Sequence, residues 1–258
     1  MQWFKKLIFL RRNRAPIRSW FGALLRPLHR EKCVSDRRYA GILMDPSQPV
    51  FLEETDLAPA DVLFCVGGED NPIHGLISYG SSGDYVHAAV YIGAGRVVEA
   101  IQEGVVESSL AEVIARYAYV AVGRCPGVNA NGVPGLAAKV VEFCQRHAMA
   151  KTPYNGKGAL KSPALELREL QYQRKHYRGS THAPRNKPKD ALFCSELVIE
   201  AFIYGGYIPE GQMDSAGYSP SALAEDAIFN LEGFMGRPEM AEYILKHDYF
   251  LTGGLSYQ

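Results

Sequence analysis

The chain reads as an α+β protein in which a β-hairpin and its neighbouring strands precede two well-separated helices. Three observations carry this reading. Residues 86–92 and 96–101 are strand-like runs joined through Gly93-Ala94-Gly95, the strongest hairpin signal in the sequence. Between Gly135 and Ala150, Leu136, Val140, Val141, Phe143 and Cys144 are apolar while Lys139, Glu142, Gln145 and Arg146 are polar, which is helical spacing. A second helical run opens at Cys194-Ser195-Glu196-Leu197 and stops at Gly205-Gly206, where glycine ends a helix without strain.

The remaining elements follow in chain order. Residues 33–57 form a connector rich in turn formers, such as Asp45-Pro46-Ser47, and Ala58-Pro59 closes it. Asp61–Val66 is a short buried strand stopped by Gly67-Gly68, and residues 69–84 are loop-like. Val105–Leu110 and Tyr117–Gly123 are further strands, separated by a short helix over 110–116. Residues 156–190 form an insertion that holds nine Lys/Arg against Glu166, Glu169 and Asp190, with a helix expected over 163–177. A last set of helices starts at Ser219-Pro220, with serine as cap and proline in the first turn. No internal repeat is present.

Bulk composition narrows the class. The chain has 258 residues, is 47% hydrophobic and 22% charged, and has a formal net charge of zero, all ordinary for a globular protein. The charge is unevenly distributed. Residues 1–32 carry nine Lys/Arg and one acid, Glu31, so the rest of the chain is mildly acidic. In this leader Trp3, Phe4, Leu7, Ile8, Phe9, Leu10, Trp20 and Phe21 alternate with Lys5, Lys6, Arg11, Arg12, Arg14 and Arg18. Two readings stand side by side: a basic amphipathic arm on an anionic membrane surface, or an arm packed on the domain or a partner. No groove-reading motif accompanies the charge, so nucleic acid is not an expected partner. The early apolar run Leu7–Leu10 is too short for a secretory h-region, and no run is long enough to span a bilayer. The expected location is cytoplasmic, with peripheral membrane contact through the arm. Five cysteines at irregular spacing, with no Cys-x-x-Cys, point to reduced thiols rather than a disulfide framework or a zinc site. No metal or other cofactor is expected.

Three residues carry the candidate chemistry. Cys194 opens a helix, where unpaired N–H groups and the dipole favour a thiolate, the nucleophilic form of the thiol. His87 lies on the first hairpin strand, on the odd face with Ala89 and Tyr91, while Val86, Ala88, Val90 and Ile92 form the core face. An imidazole beside the thiol would accept its proton. Glu99, twelve residues on and near the end of the return strand, is placed to orient that imidazole. Hairpin parity decides whether it does. A loop with an odd number of residues centred near Gly93 sets Glu99 opposite His87. A two-residue Ala94-Gly95 turn instead puts Glu99 on the other face and aligns Gln102 with His87. Both alternatives remain open from the residues alone.

The ordered set of segments resembles the NlpC-like cysteine peptidase superfamily. It is closest to the circularly permuted, YaeF/YiiX-like branch related to lecithin:retinol acyltransferase. The matching pieces are Asp61-Val62-Leu63-Phe64, His87-Ala88-Ala89-Val90-Tyr91-Ile92-Gly93-Ala94-Gly95, Val97-Val98-Glu99-Ala100, Pro153-Tyr154-Asn155, Phe193-Cys194-Ser195-Glu196-Leu197-Val198 and Ser219-Pro220. They span roughly residues 58–228, and histidine precedes cysteine, as in that branch. The resemblance implies a permuted papain-like fold over residues 58–258, with a small antiparallel twisted sheet packed against helices. It also implies Cys194 as nucleophile, His87 as base, Glu99 rather than Gln102 as the orienting residue, and Tyr154 near the oxyanion. His176 and His182 match nothing in the pattern. The basic leader and the insertion depart from it.

Three functions compete. The first is a cysteine hydrolase, a peptidase or amidase working through an acyl-thioester on peptides of cell-wall type. The second is a membrane-associated lipid acyltransferase or lipid hydrolase using the same triad, which the leader favours. The third is a non-catalytic scaffold of the same fold.

Overall fold

The structure is a computed structural model that describes residues 49–67, 85–129, 132–159, 189–225 and 228–252. The basic arm 1–32, the loop 69–84, and residues 160–188 of the insertion, with His176 and His182, lie outside the described residues.

Five strands match the expected ones closely. They are β1 (Val62–Val66), β2 (Tyr85–Gly93), β3 (Arg96–Ile101), β4 (Gly104–Ser109) and β5 (Tyr119–Arg124). Helix α1 (Leu110–Arg116) sits between β4 and β5, and α2 (Leu136–Met149) follows β5. Helix α3 runs from Cys194 to Gly205, and Gly206 caps it in the left-handed region at φ 84°. Helix α4 (Pro220–Glu225) starts after Ser219, whose Oγ accepts from the Ala222 N–H at 3.1 Å. A sixth strand, β6 (Asn230–Gly236), and helices α5 (Ala241–His247) and α6 (Tyr249–Thr252) complete the fold.

The strands form one six-stranded sheet in the order β4-β3-β2-β1-β5-β6, every neighbouring pair antiparallel. The sequence reading anticipated helices at the C-terminal end but not β6. Its Asn-Leu-Glu-Gly-Phe-Met-Gly run has no clean alternation, and two glycines interrupt it. Gly233 is there because the chain approaches closely: a Cβ at that position would lie 2.6 Å from the Val50 carbonyl oxygen. Residues of the expected connector pair with this strand, through Leu52 N–H to Phe234 O and Phe234 N–H to Val50 O, both 2.8 Å.

Both faces of the sheet are covered, which explains why β1 is buried at every position. On one face Phe64, Val90, Val98, Leu136, Val140, Leu197, Val198, Phe202, Phe229 and Phe234 form the main core with α2 and α3. On the other, Leu63, Cys65, Ala89, Tyr91, Val97, Leu110, Val113, Val120 and Val122 form a second core under α1. The odd positions of β2 are therefore as buried as the even ones, so His87 shares its face with a second core rather than with an open edge. Each fully buried Phe or Leu contributes roughly 1.5–3 kcal/mol by leaving water.

Candidate functional site

The site begins with the register of the hairpin. Ala94 (φ 49°) and Gly95 (φ 65°) form a two-residue turn with both central residues in the left-handed region, and Gly93 pairs with Arg96. One residue further in, the register slips: Tyr91 pairs with Val97, and Ile92 is left as a bulge. From there Ala89 faces Glu99, which puts Glu99 on the face of β3 that matches the odd face of β2, diagonal to His87. Neither simple alternative from the sequence describes this hairpin. The two-residue turn is present, and the bulge reverses its parity. Gln102 sits exposed in the β3–β4 turn, away from the pairing.

Glu99 is fully buried, and each of its oxygens is occupied. Oε2 accepts from His87 Nε2 at 2.9 Å. Oε1 accepts from Ser108 Oγ at 2.6 Å and from the Arg116 guanidinium. Burial pushes the Glu99 carboxyl up, but the His87 hydrogen bond and charge, then Ser108 and Arg116, outweigh it and hold the group down at about 2. Glu99 is a buried anion with a complete set of donors.

His87 Nε2 is committed to Glu99, and the ring also hydrogen-bonds Cys194. His87 is buried, and its ring stacks on Tyr117, with centroids 5.8 Å apart and planes 10° from parallel. Burial lowers the His87 pKa, while hydrogen bonds to Cys194 and Glu99 and their charges raise it, to a net value of about 9. Cys194 shifts the opposite way. Burial raises its pKa, and the His87 hydrogen bond and charge, with the Ala88 and Ser195 N–H groups, bring it below the ordinary thiol value. Both shifts run in the direction that favours a thiolate–imidazolium pair. The other buried thiols behave differently: burial pushes Cys65 and Cys125 up, and Cys144 up to about 12.

Several contacts hold the start of α3 in place. Ser195 Oγ donates to the Tyr218 carbonyl at 2.6 Å. Glu196 accepts from the Phe193 N–H at 3.2 Å, from Asn155 Nδ2 at 3.3 Å and from the Lys189 ammonium. Lys189 also donates to Ser215 Oγ at 2.6 Å and lies 3.4 Å from Glu200. Tyr154 forms a bridge with Leu192, two residues before the cysteine. Burial, then the charge of Cys194, raises the Tyr154 pKa, so its hydroxyl stays protonated as a donor.

The structure thus brings Cys194, His87 and Glu99 into one hydrogen-bonded line, with Tyr154 alongside. Sequence reasoning missed Ser108, Arg116 and Tyr117. Arg116 reads as a base in the last turn of a short helix, complementing its dipole, and nothing local marks it as a partner of Glu99. Among the described residues, no group of three or more His, Cys, Asp or Glu side chains is arranged to hold a metal ion. No described helix is long and apolar enough to cross a membrane.

No protein-family model matches the chain, and no curated protein matches it. Among solved structures it is similar to the crystal structure of the metalloprotein yiiX from Escherichia coli O157:H7. That likeness has 13% identity and a TM-score of 0.47, and it covers 70% of this chain and 99% of that one. The likeness is loose, and the reading of the site rests on this chain's own residues.

Proposed function

We propose that the protein is a cysteine hydrolase of permuted papain-like design, acting on an amide bond through Cys194, His87 and Glu99. The observation that carries the reading is the buried Cys194–His87–Glu99 line. Its thiol is shifted below its ordinary value while the imidazole is shifted above its own. Three buried thiols elsewhere in the same fold are shifted the other way.

The chemistry follows from the charges. The His87 ring holds the proton that Cys194 has given up, and the thiolate attacks the carbonyl carbon. As the C–S bond forms, negative charge moves to the carbonyl oxygen. The backbone N–H groups at the start of α3, with the protonated Tyr154 hydroxyl, are the available donors to it. Collapse breaks the C–N bond, and the imidazolium gives its proton to the departing amine. A water then loses a proton to His87 and attacks the thioester carbonyl. The acid leaves, and thiolate and imidazolium are restored. Glu99 keeps the ring in one orientation and stabilises its charged form throughout. Peptides of cell-wall type are the proposed substrates.

A second reading keeps the thioester and replaces the peptide with a lipid ester or amide. The basic amphipathic arm, residues 1–32, favours it by suggesting a peripheral site on a cytoplasmic, anionic membrane face. Removing residues 1–32 tests that reading: unchanged activity and unchanged binding to anionic vesicles would remove its support.

Alkylation by iodoacetamide, read by mass spectrometry, tests the site itself. At about pH 6, Cys194 is expected to react at least roughly tenfold faster than a model thiol, because its thiolate fraction is larger. His87→Ala should abolish that advantage, while Cys65, Cys125 and Cys144 stay unlabelled. A Cys194 no faster than the model thiol would leave only a non-catalytic scaffold. Competition of the label by murein-type peptides or by lipids identifies the substrate class.

A further inference from the structure

We propose that Arg116, together with Ser108 and Tyr117, positions the reacting groups, fixing Glu99 as an anion so that its other oxygen can hold His87. The inference rests on the cysteine-hydrolase reading and concerns residues outside the triad.

The geometry is specific. Arg116 is the last residue of α1, and its Nε donates to the Glu112 carbonyl of its own helix at 3.3 Å, which aims the guanidinium. The guanidinium pairs with Glu99 Oε1, the oxygen that His87 does not use. Ser108, on β4, donates to the same oxygen. The next residue, Tyr117, lies beneath the Arg116 guanidinium at 5.8 Å and stacks on the His87 ring. Two consecutive residues at one helix end therefore touch both Glu99 and His87.

Charge alternation gives the arrangement its consequence. Along the line Arg116, Glu99, His87, Cys194 the charges run plus, minus, plus, minus, and they cancel. Without Arg116 the buried set carries a net negative charge and regains balance by binding a proton, on Cys194 or Glu99. The other titratable groups that face the line do not replace Arg116. Burial raises Cys65 on β1, Tyr117 and Tyr154, which keeps all three neutral in the working range. Glu112 is exposed, carries the same sign as Glu99 and is screened by water. Arg116 itself is 38% exposed, so it reaches the buried carboxylate from the protein surface.

The test is the pH profile of Cys194 alkylation in the full chain, from about pH 4 to 10, for the wild type, Arg116→Gln, Arg116→Lys and Ser108→Ala. Arg116→Gln should move the thiolate-forming limb up by about one pH unit, so that the rate falls roughly fivefold at the wild-type midpoint and about tenfold well below it. Arg116→Lys keeps the charge and should hold the limb near its wild-type place. Ser108→Ala should move it in the same direction by less. It keeps the guanidinium in place, so it also reports on the proposal if Arg116→Gln folds poorly. A merely structural role would lower the melting temperature and leave the limb where it was. The proposal is overturned if Arg116→Gln and Ser108→Ala both leave the limb in place, or if Arg116→Lys moves it as far as Arg116→Gln. Neither result touches the hydrolase reading, which fails only if wild-type Cys194 is unreactive.

Discussion

At the scale of the residue, His87 is held between opposing electrostatic demands. A buried imidazole ordinarily loses its proton, yet two anionic partners hold it charged up to about 9. Because the folded value is raised, the stability that His87 contributes is complete below about pH 6.5 and is lost as pH rises through about 9. Glu99 has the opposite sign. Its folded value is depressed to about 2, so its contribution is present above about pH 4.5 and is lost as pH falls through about 2. An NMR titration of the His87 ring should place its midpoint well above that of a free histidine. Glu99→Gln and Cys194→Ala should each lower it by removing a negative neighbour. A wild-type midpoint near that of free histidine would refute the ion-pair account. His87 and Cys194 could be singled out from strand and helix position, whereas Glu99 was preferred to Gln102 only through the family resemblance, because the residues alone leave the hairpin parity open. Arg116 and Ser108 could not be singled out, since their roles depend on which way Glu99 faces.

Elements decide that direction, and the hairpin shows how little local sequence can say about it. Turn residues identified the loop, but a bulge at Ile92 sets the parity, and a bulge has no signature in Gly93-Ala94-Gly95 alone. A slip of one residue would turn Glu99 away from His87 and from Arg116 together. The turn also holds a non-glycine residue where glycine is favoured, at Ala94 with φ 49°. A left-handed L-residue costs roughly 1–2 kcal/mol, and the extra freedom of glycine in the unfolded chain offsets part of that. Ala94→Gly should therefore stabilise the protein by about 0.5–1 kcal/mol. Urea denaturation should show a higher midpoint at unchanged slope. A lower midpoint would mean that Ala94 contributes contacts beyond its backbone. Strand β6 escaped notice for a related reason. Its glycines serve neighbouring chain segments, Val50 at Gly233 and Tyr119 at Gly236, rather than the strand's own pattern.

On the scale of the whole molecule, a sheet covered on both faces needs its edges and its entry segment tied together, and Arg124 does much of that. From the end of β5 it donates through Nε and Nη2 to the two Asp61 oxygens at 2.7 and 2.6 Å, a bidentate pair. It also donates to Glu232 on β6 at 3.0 Å and to the Asp56 carbonyl of the entry segment at 3.0 Å. One guanidinium thus joins the approach to β1, strands β5 and β6, and residues that precede the sheet. Asp61 is only 1% exposed, and beyond Arg124 it accepts from the Ala58 N–H at 2.7 Å. Arg124→Met would leave that carboxylate buried without its cation, at a cost of about 3 kcal/mol. The double variant Arg124→Met with Asp61→Asn removes the stranded charge and should recover most of the loss in a denaturation series. If the double variant were no more stable than the single one, the contacts to Glu232 and Asp56 would be the stabilising part instead. In either case β1 and β2 stay paired between this clamp and the site. Cys194 alkylation per folded molecule should therefore be unchanged in both variants, which separates the residues that hold the sheet together from those that tune the thiol.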